Sequence, residues 1–122
     1  HPNVQFYCFQ QTVRDTDKTA FDGARIVDIG RWLTDFRQTA HAMKCLDLMI
    51  TCDTSVAHMA GTVGIPTWIM LTKFRTYWLW QRDLEGTPWY PSIRFFRQVL
   101  NDDWVEVIAR VTANLRQSNI SY

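Results

Sequence analysis

Residues Asp47 to Leu71 read DLMITCDTSVAHMAGTVGIPTWIML, and the reading of this stretch decides the fold. Asp47 to Cys52 is a strand-length run that is apolar on both faces, as expected when helices cover a parallel sheet on both sides. Asp53-Thr54-Ser55 then starts a helix whose expected buried stripe is Val56, Met59, Ala60 and Val63. Ala57, Gly61 and Gly64 form an adjacent strip of small residues, which allows close packing on the sheet. Gly64 ends the helix, and Pro66 opens a second buried strand, Thr67 to Leu71. At the helix start, backbone N–H groups and the helix dipole favour an anion.

Upstream, Val4 to Phe9 (VQFYCF) is a strand that ends at Gln10. The polar segment Gln11 to Arg25 reads as a loop with a helical turn at most, and Arg25 to Ile29 as a short strand closed by Gly30. A helix capped by Thr34 or Asp35 follows, with Phe36, Ala40, Met43 and Leu46 on one face. Downstream, Thr72 to Ser92 is too long for an ordinary connection, and such loops are usually functional. Ile93 to Gln98 is the last strand. The final helix is capped by Asn101 or Asp102 and carries Trp104, Ile108, Val111 and Leu115 on its inner stripe, and residues 117–122 form a polar tail.

Strands alternating with helices predict an α/β fold: a Rossmann-like, doubly wound, mostly parallel sheet of about five strands. Ligands of such sheets bind at the carboxyl ends of the strands. Gln10, Asp28 to Gly30, Asp53 to Ser55 and the long aromatic loop are therefore expected to converge on one sheet edge.

Composition narrows the function classes. The 122 residues are 47% hydrophobic and 20% charged, a globular mixture read as a single domain spanning 1–122. A net charge of +1, with basic residues scattered among acids, argues against a nucleic-acid partner. No apolar run approaches a membrane span and the first twenty residues do not resemble a signal peptide, so the expected location is cytoplasmic. Cys8, Cys45 and Cys52 lack C-x-x-C spacing and read as buried free thiols of a reducing compartment. With His1, His41 and His58 added, no metal-ligand cluster emerges, and neither metal nor cofactor is expected.

The turn offers two readings. It is a helix cap, or Thr54, Ser55 and the first amides receive a phosphate. Asp53 would repel that phosphate, so it is expected to brace the turn or to accept a hydrogen bond from a neighbouring loop. His58 lies on the helix side shared with Ser55 and Thr62, away from the apolar stripe. It is an exposed histidine, or from the second turn it donates to a phosphate oxygen. The loop WLWQRDLEGTPWYPS (Trp78 to Ser92) carries Arg82, Trp89 and Tyr90, either as a cluster pinning the loop or as an aromatic wall for a sugar. Arg97 neutralises phosphate charge or pairs with a local carboxylate. No serine, cysteine or carboxylate pair makes a convincing nucleophile or acid/base set, so no catalytic residue is assigned.

At DTSVAHMAG the chain resembles the carboxyl-terminal domain of GT-B glycosyltransferases related to the heptosyltransferase family (family 9), in the branch often attached to tetratricopeptide repeats. The resemblance runs from about Val4 to Val111. It rests on Gln10, D-I-G at Asp28 to Gly30, D-F-R-Q-T-A at Asp35 to Ala40, the run Leu46 to Trp68, P-W-Y-P-S at Pro88 to Ser92, and F-R-Q at Phe96 to Gln98. It implies that a nucleotide-diphosphate sugar is the donor, with Asp53, Thr54, Ser55 and His58 matching the diphosphate-binding turn. Gln10, Gly30, Asp35, Trp89, Tyr90 and Arg97 become candidate nucleoside or sugar contacts.

The chain departs from that family in two ways. Relatives often carry W-R-W where Trp78-Leu79-Trp80 stands, so one expected cation is missing. The family's domain also opens with a central strand and helix upstream of the Val4 strand, preceded by an acceptor-binding domain or repeats. The resemblance therefore implies a fragment, inactive alone, whose Val4 and Ile26 strands pair differently or leave a gap, in a rearranged or homodimeric sheet. The rival reading is a degenerate, non-catalytic interaction module with Trp78, Trp80 and Trp89 as its interface.

Overall fold

A computed structural model of the chain describes residues 4–74 and 76–118, apart from the Asp22 side chain. The chain divides into two compact units, residues 1–42 and 43–122. In the first, β1 (Phe6–Cys8) is followed by α1 (Asp15–Gly23), β2 (Ile26–Asp28), a 3-10 turn (Gly30–Trp32) and α2 (Phe36–Met43), which ends at the division. β1 and β2 pair with each other in parallel, Phe6 opposite Ile26 and Cys8 opposite Asp28. Only Gly30 and Leu33 are buried among the described residues of this unit.

α1 forms where a loop was expected. Its exposed faces give no apolar period to read. Asp15 and Asp17 sit in its first turn, where they complement the helix dipole, and pair with Lys18 and Arg14 at i,i+3 spacing. α2 starts as the sequence suggests: the Asp35 carboxylate accepts from the Gln38 amide at 2.7 Å. Phe36, expected on its inner face, is exposed, and the helix stops before Leu46.

The second unit contains β3 (Met49–Cys52), α3 (Ser55–Val63), β4 (Thr67–Leu71), β5 (Gly86–Thr87), β6 (Tyr90–Arg97) and α4 (Trp104–Gln117). They form one sheet in the order β3-β4-β6-β5, parallel except for β5 on β6. The mostly parallel α/β class is therefore present, but not as one sheet of five strands. The strands expected to share an edge belong to two sheets.

Alternation sorts the second sheet's side chains. Ile69 and Leu71 of β4 and Ile93 and Phe95 of β6 share one face with Ala57 of α3 and Trp80. Trp68, Met70 and Phe96 face Val107 and Val111 of α4 on the other. Each fully buried aliphatic side chain contributes about 1.5–3 kcal/mol, so this doubly covered sheet dominates the unit's stability.

The buried stripes of both helices keep one expected residue, Ala60 on α3 and Val111 on α4, and otherwise differ from the sequence reading. On α3 the fully buried positions are Ala57 and Ala60, with Val56, Met59 and Val63 at the flanks, because the small side chains let the helix sit close. Gly61 shows how close: a Cβ there would lie 2.5 Å from the Tyr90 ring. Gly64 ends α3 in the left-handed region (φ 83°), as expected. On α4 the cap is Asp103, whose carboxylate accepts from the Glu106 amide at 3.1 Å, while Asp102 takes a φ of 61°. Val107 and Val111 form the inner stripe, and Trp104 and Ile108 turn outward. Residues 119–122 of the expected tail, and His1, lie outside the described residues.

Candidate functional site

Parallel β3 ends at Cys52, and its chain turns through Asp53 and Thr54 into α3. Thr54 is the N-cap in extended conformation, yet its side chain makes no capping hydrogen bond. Thr54 and Ser55 are both exposed, so the helix start faces solvent at the carboxyl end of the strand. The Ala57 amide is occupied by the Thr54 carbonyl at 3.0 Å.

Asp53 does not occupy the helix start. Its carboxylate accepts from the Trp80 indole Nε1 at 2.6 Å and faces the Tyr77 amide at 3.4 Å. Of the two roles expected for Asp53, accepting a bond from a neighbouring loop is the one that forms. Trp80, expected at an exposed interface, is 1% exposed and lies in the core against Phe95. Desolvation, and after it the neighbouring Asp53 carboxylate, push the Cys52 thiol above its ordinary value, although the residue as a whole is exposed. Cys45 is exposed too and Cys8 half-buried, so none of the three free thiols is buried as expected.

His58, one turn into α3, is neither a core histidine nor fully exposed. Its ring stacks on Trp80 with centroids 4.8 Å apart and planes 24° apart. Tyr77 and Tyr90 approach it edge-on at 5.4 and 6.0 Å, and Nδ1 lies 3.5 Å from the Tyr90 hydroxyl. Nε2 has no hydrogen-bond partner among the described residues. The aromatic neighbours fix the ring plane. Tyr90 packs on His58 and Gly61, whereas Trp89 remains exposed.

Arg97 bonds to the loop that follows β4. Its Nη1 donates to the Thr72 carbonyl and the Thr76 hydroxyl at 3.4 and 3.2 Å. Its Nη2 donates to the carbonyls of Trp80 and Gln81 at 3.1 and 3.2 Å. Both ends of the loop that follows β4 are thereby tied to β6. Burial holds the guanidinium below its ordinary value, Arg82 adds to that, and Asp83 opposes it. A guanidinium still stays charged at any working pH.

The structure brings Asp53, Thr54, Ser55, His58, Tyr90 and Arg97 together in the second unit, around Trp80 and Tyr77. Gln10, Gly30 and Asp35 belong to the first unit and have local work. The Gln10 side chain donates to the Thr12 carbonyl at 2.8 Å, and Asp35 caps α2. Gly30 is required because a Cβ there would fall 2.0 Å from the Gln10 carbonyl oxygen. Sequence reasoning missed the roles of Trp80 and Tyr77. The signal available was Asp53 itself, a carboxylate next to a helix start that needs donors of its own.

Among the described residues, no group of three or more histidine, cysteine, aspartate or glutamate side chains could hold a metal ion, and no helix is long and apolar enough to cross a membrane. No family model, curated protein or solved structure matches the chain. Any functional reading therefore rests on the chemistry of the turn and on the order of the motifs.

Proposed function

We propose that the second unit is the donor-binding part of a glycosyltransferase of the GT-B, heptosyltransferase-like kind, holding the diphosphate of a nucleotide sugar at the start of α3. One observation carries this reading. The helix start lacks a side-chain cap, exposes Thr54 and Ser55, and has its adjacent carboxylate turned away onto Trp80 and Tyr77. An anion arriving there meets free amides and two hydroxyls without the Asp53 charge on top of them. His58 stands one turn further on with Nε2 available to donate to a phosphate oxygen. In transfer, such a set would stabilise the leaving diphosphate as negative charge develops on it.

The test is an amide-resolved NMR titration with a nucleoside diphosphate, inorganic pyrophosphate and, as control, the unphosphorylated nucleoside. Both phosphates should shift the Ser55, Val56 and His58 signals, and the nucleoside alone should leave them in place. His58→Ala should weaken binding about 10- to 100-fold, the worth of one charge-assisted hydrogen bond. Silence at these amides under millimolar pyrophosphate would overturn the reading.

A second reading, a non-catalytic interaction module, is favoured by a different observation. Val99, Leu100, Val105 and Ile108 leave an aliphatic surface exposed on and before α4. It predicts the silent result in the same titration.

A further inference from the structure

The outer surface of α4 carries too little charge for a face that meets water. Trp104, Val105, Ile108, Ala109, Thr112 and Ala113 are all exposed, and they follow one another in two i,i+4 rows along one side of the helix. None of the six is charged. A helix lying on a sheet ordinarily turns charged residues outward. Here the inner stripe of Val107 and Val111 is matched by a second, largely apolar face that points away from the sheet. Val105 is 81% exposed, and exposed Val99 and Leu100 add apolar surface just before the helix. The charges on the flank of this face, Glu106 and Arg110, are paired with each other.

We propose that this face is a homodimer interface, in which α4 of two copies packs antiparallel about a two-fold axis beside Ile108 and Ala109. Two gradients along the helix select that occupant and that direction. The first is size. Trp104, Val105 and Ile108 are bulky, while Ala109, Thr112 and Ala113 are small. A two-fold axis at the middle sets the bulky half of one helix on the small half of the other, so the rows interlock and the helices approach closely. The second gradient is charge. Asp102 stands before the first turn, and Arg116 lies in the last turn on the same side as the six. Neither forms an ion pair among the described residues. The antiparallel order brings Asp102 of each copy to Arg116 of the other and opposes the two helix dipoles, whereas a parallel order sets like against like.

A membrane surface fits this face less well. It calls for an excess of lysine and arginine beside the apolar stripe, and α4 offers Arg116 and an Arg110 already paired with Glu106. The dimer is compatible with either function considered above, because α4 covers the sheet face opposite α3 and leaves the α3 turn open. It adds what neither supplies, the identity of the partner and the direction in which it packs.

The test is sedimentation velocity of the whole chain from low to high micromolar concentration, where the unmutated protein should pass from monomer to dimer. Val105→Arg, which carries a charge into the seam, should weaken dimerisation at least about 100-fold. A double-mutant cycle then reads the direction of packing. Asp102→Asn tolerates the left-handed backbone at that position (φ 61°). It should weaken the dimer of the unmutated chain about two- to fivefold, and strengthen by a similar factor that of Arg116→Glu, where two acids otherwise meet. These positions are exposed, and unchanged amide dispersion in each variant confirms that the fold survives. A monomer at every concentration, a dimer indifferent to Val105→Arg, or an Asp102→Asn effect of one sign in both backgrounds would overturn the proposal. So would co-sedimentation with phosphatidylglycerol vesicles that Val105→Arg abolishes. None of these outcomes depends on what pyrophosphate does at the α3 turn.

Discussion

The two parallel pairings in this chain, β1 with β2 and β3 with β4, have the same hydrogen-bond logic and very different surroundings. β1 and β2 are three residues long, and Tyr7 and Val27 at their centres remain exposed. β3 and β4 belong to a sheet sealed by α3 and Trp80 on one face and by α4 on the other. The difference teaches that pairing alone does not make a core. What the second unit has is a covering layer on each face of its strands, whereas among the described residues of the first only Gly30 and Leu33 are buried.

The largest test of that contrast is Trp80→Ala, which deletes a core indole and leaves the Asp53 carboxylate without its best donor. It should lower stability by about 3–5 kcal/mol in a urea melt, while Tyr7→Ala in β1 should cost less than about 1 kcal/mol. Similar costs for the two would erase the distinction. An intermediate test makes one substitution in both units. Gly61→Ala forces a Cβ into the Tyr90 ring and Ile93 and should destabilise by about 1–3 kcal/mol. Gly23→Ala, at the end of α1, meets nothing within 4 Å and should stabilise by about 0.5–1 kcal/mol.

The smallest effect is titrimetric. The folded-state value of Cys52 lies above its unfolded one, so the favourable contribution is intact below the ordinary thiol range and is lost as pH rises through the raised value. Cys52→Ala should therefore flatten the alkaline limb of the stability–pH curve. At pH 8 the Cys52 thiol should alkylate more slowly than a free thiol, and faster once Asp53→Asn removes the neighbouring charge.

The sequence was most legible where side-chain pattern and covered surface coincide. Thr67 to Leu71, the glycine stop at Gly64 and the capping of α2 by Asp35 all follow from local chemistry, and all are present. α1 was illegible because most of its residues are exposed and leave no apolar period. The stripes of α3 and α4 were read in part: Ala60 and Val111 are buried as expected, but the sheet also selected Ala57 over the larger Val56 and Met59, and Val107 over Trp104 and Ile108. At the site, local spacing located the turn from Asp53 to His58. It gave no hint of Trp80, because an indole 27 residues away reaches Asp53 only after β4 and its loop have folded back.

That indole has an experimental consequence. Six tryptophans would ordinarily blur an emission spectrum, but Trp32, Trp78 and Trp89 are largely open to water and Trp80 is sealed. A soluble quencher such as iodide should darken the exposed three and spare a blue-shifted component from half-buried Trp68 and from Trp80. Because that ring is bonded to Asp53 and stacked on His58, its residual light should report on the state of the α3 turn without any label.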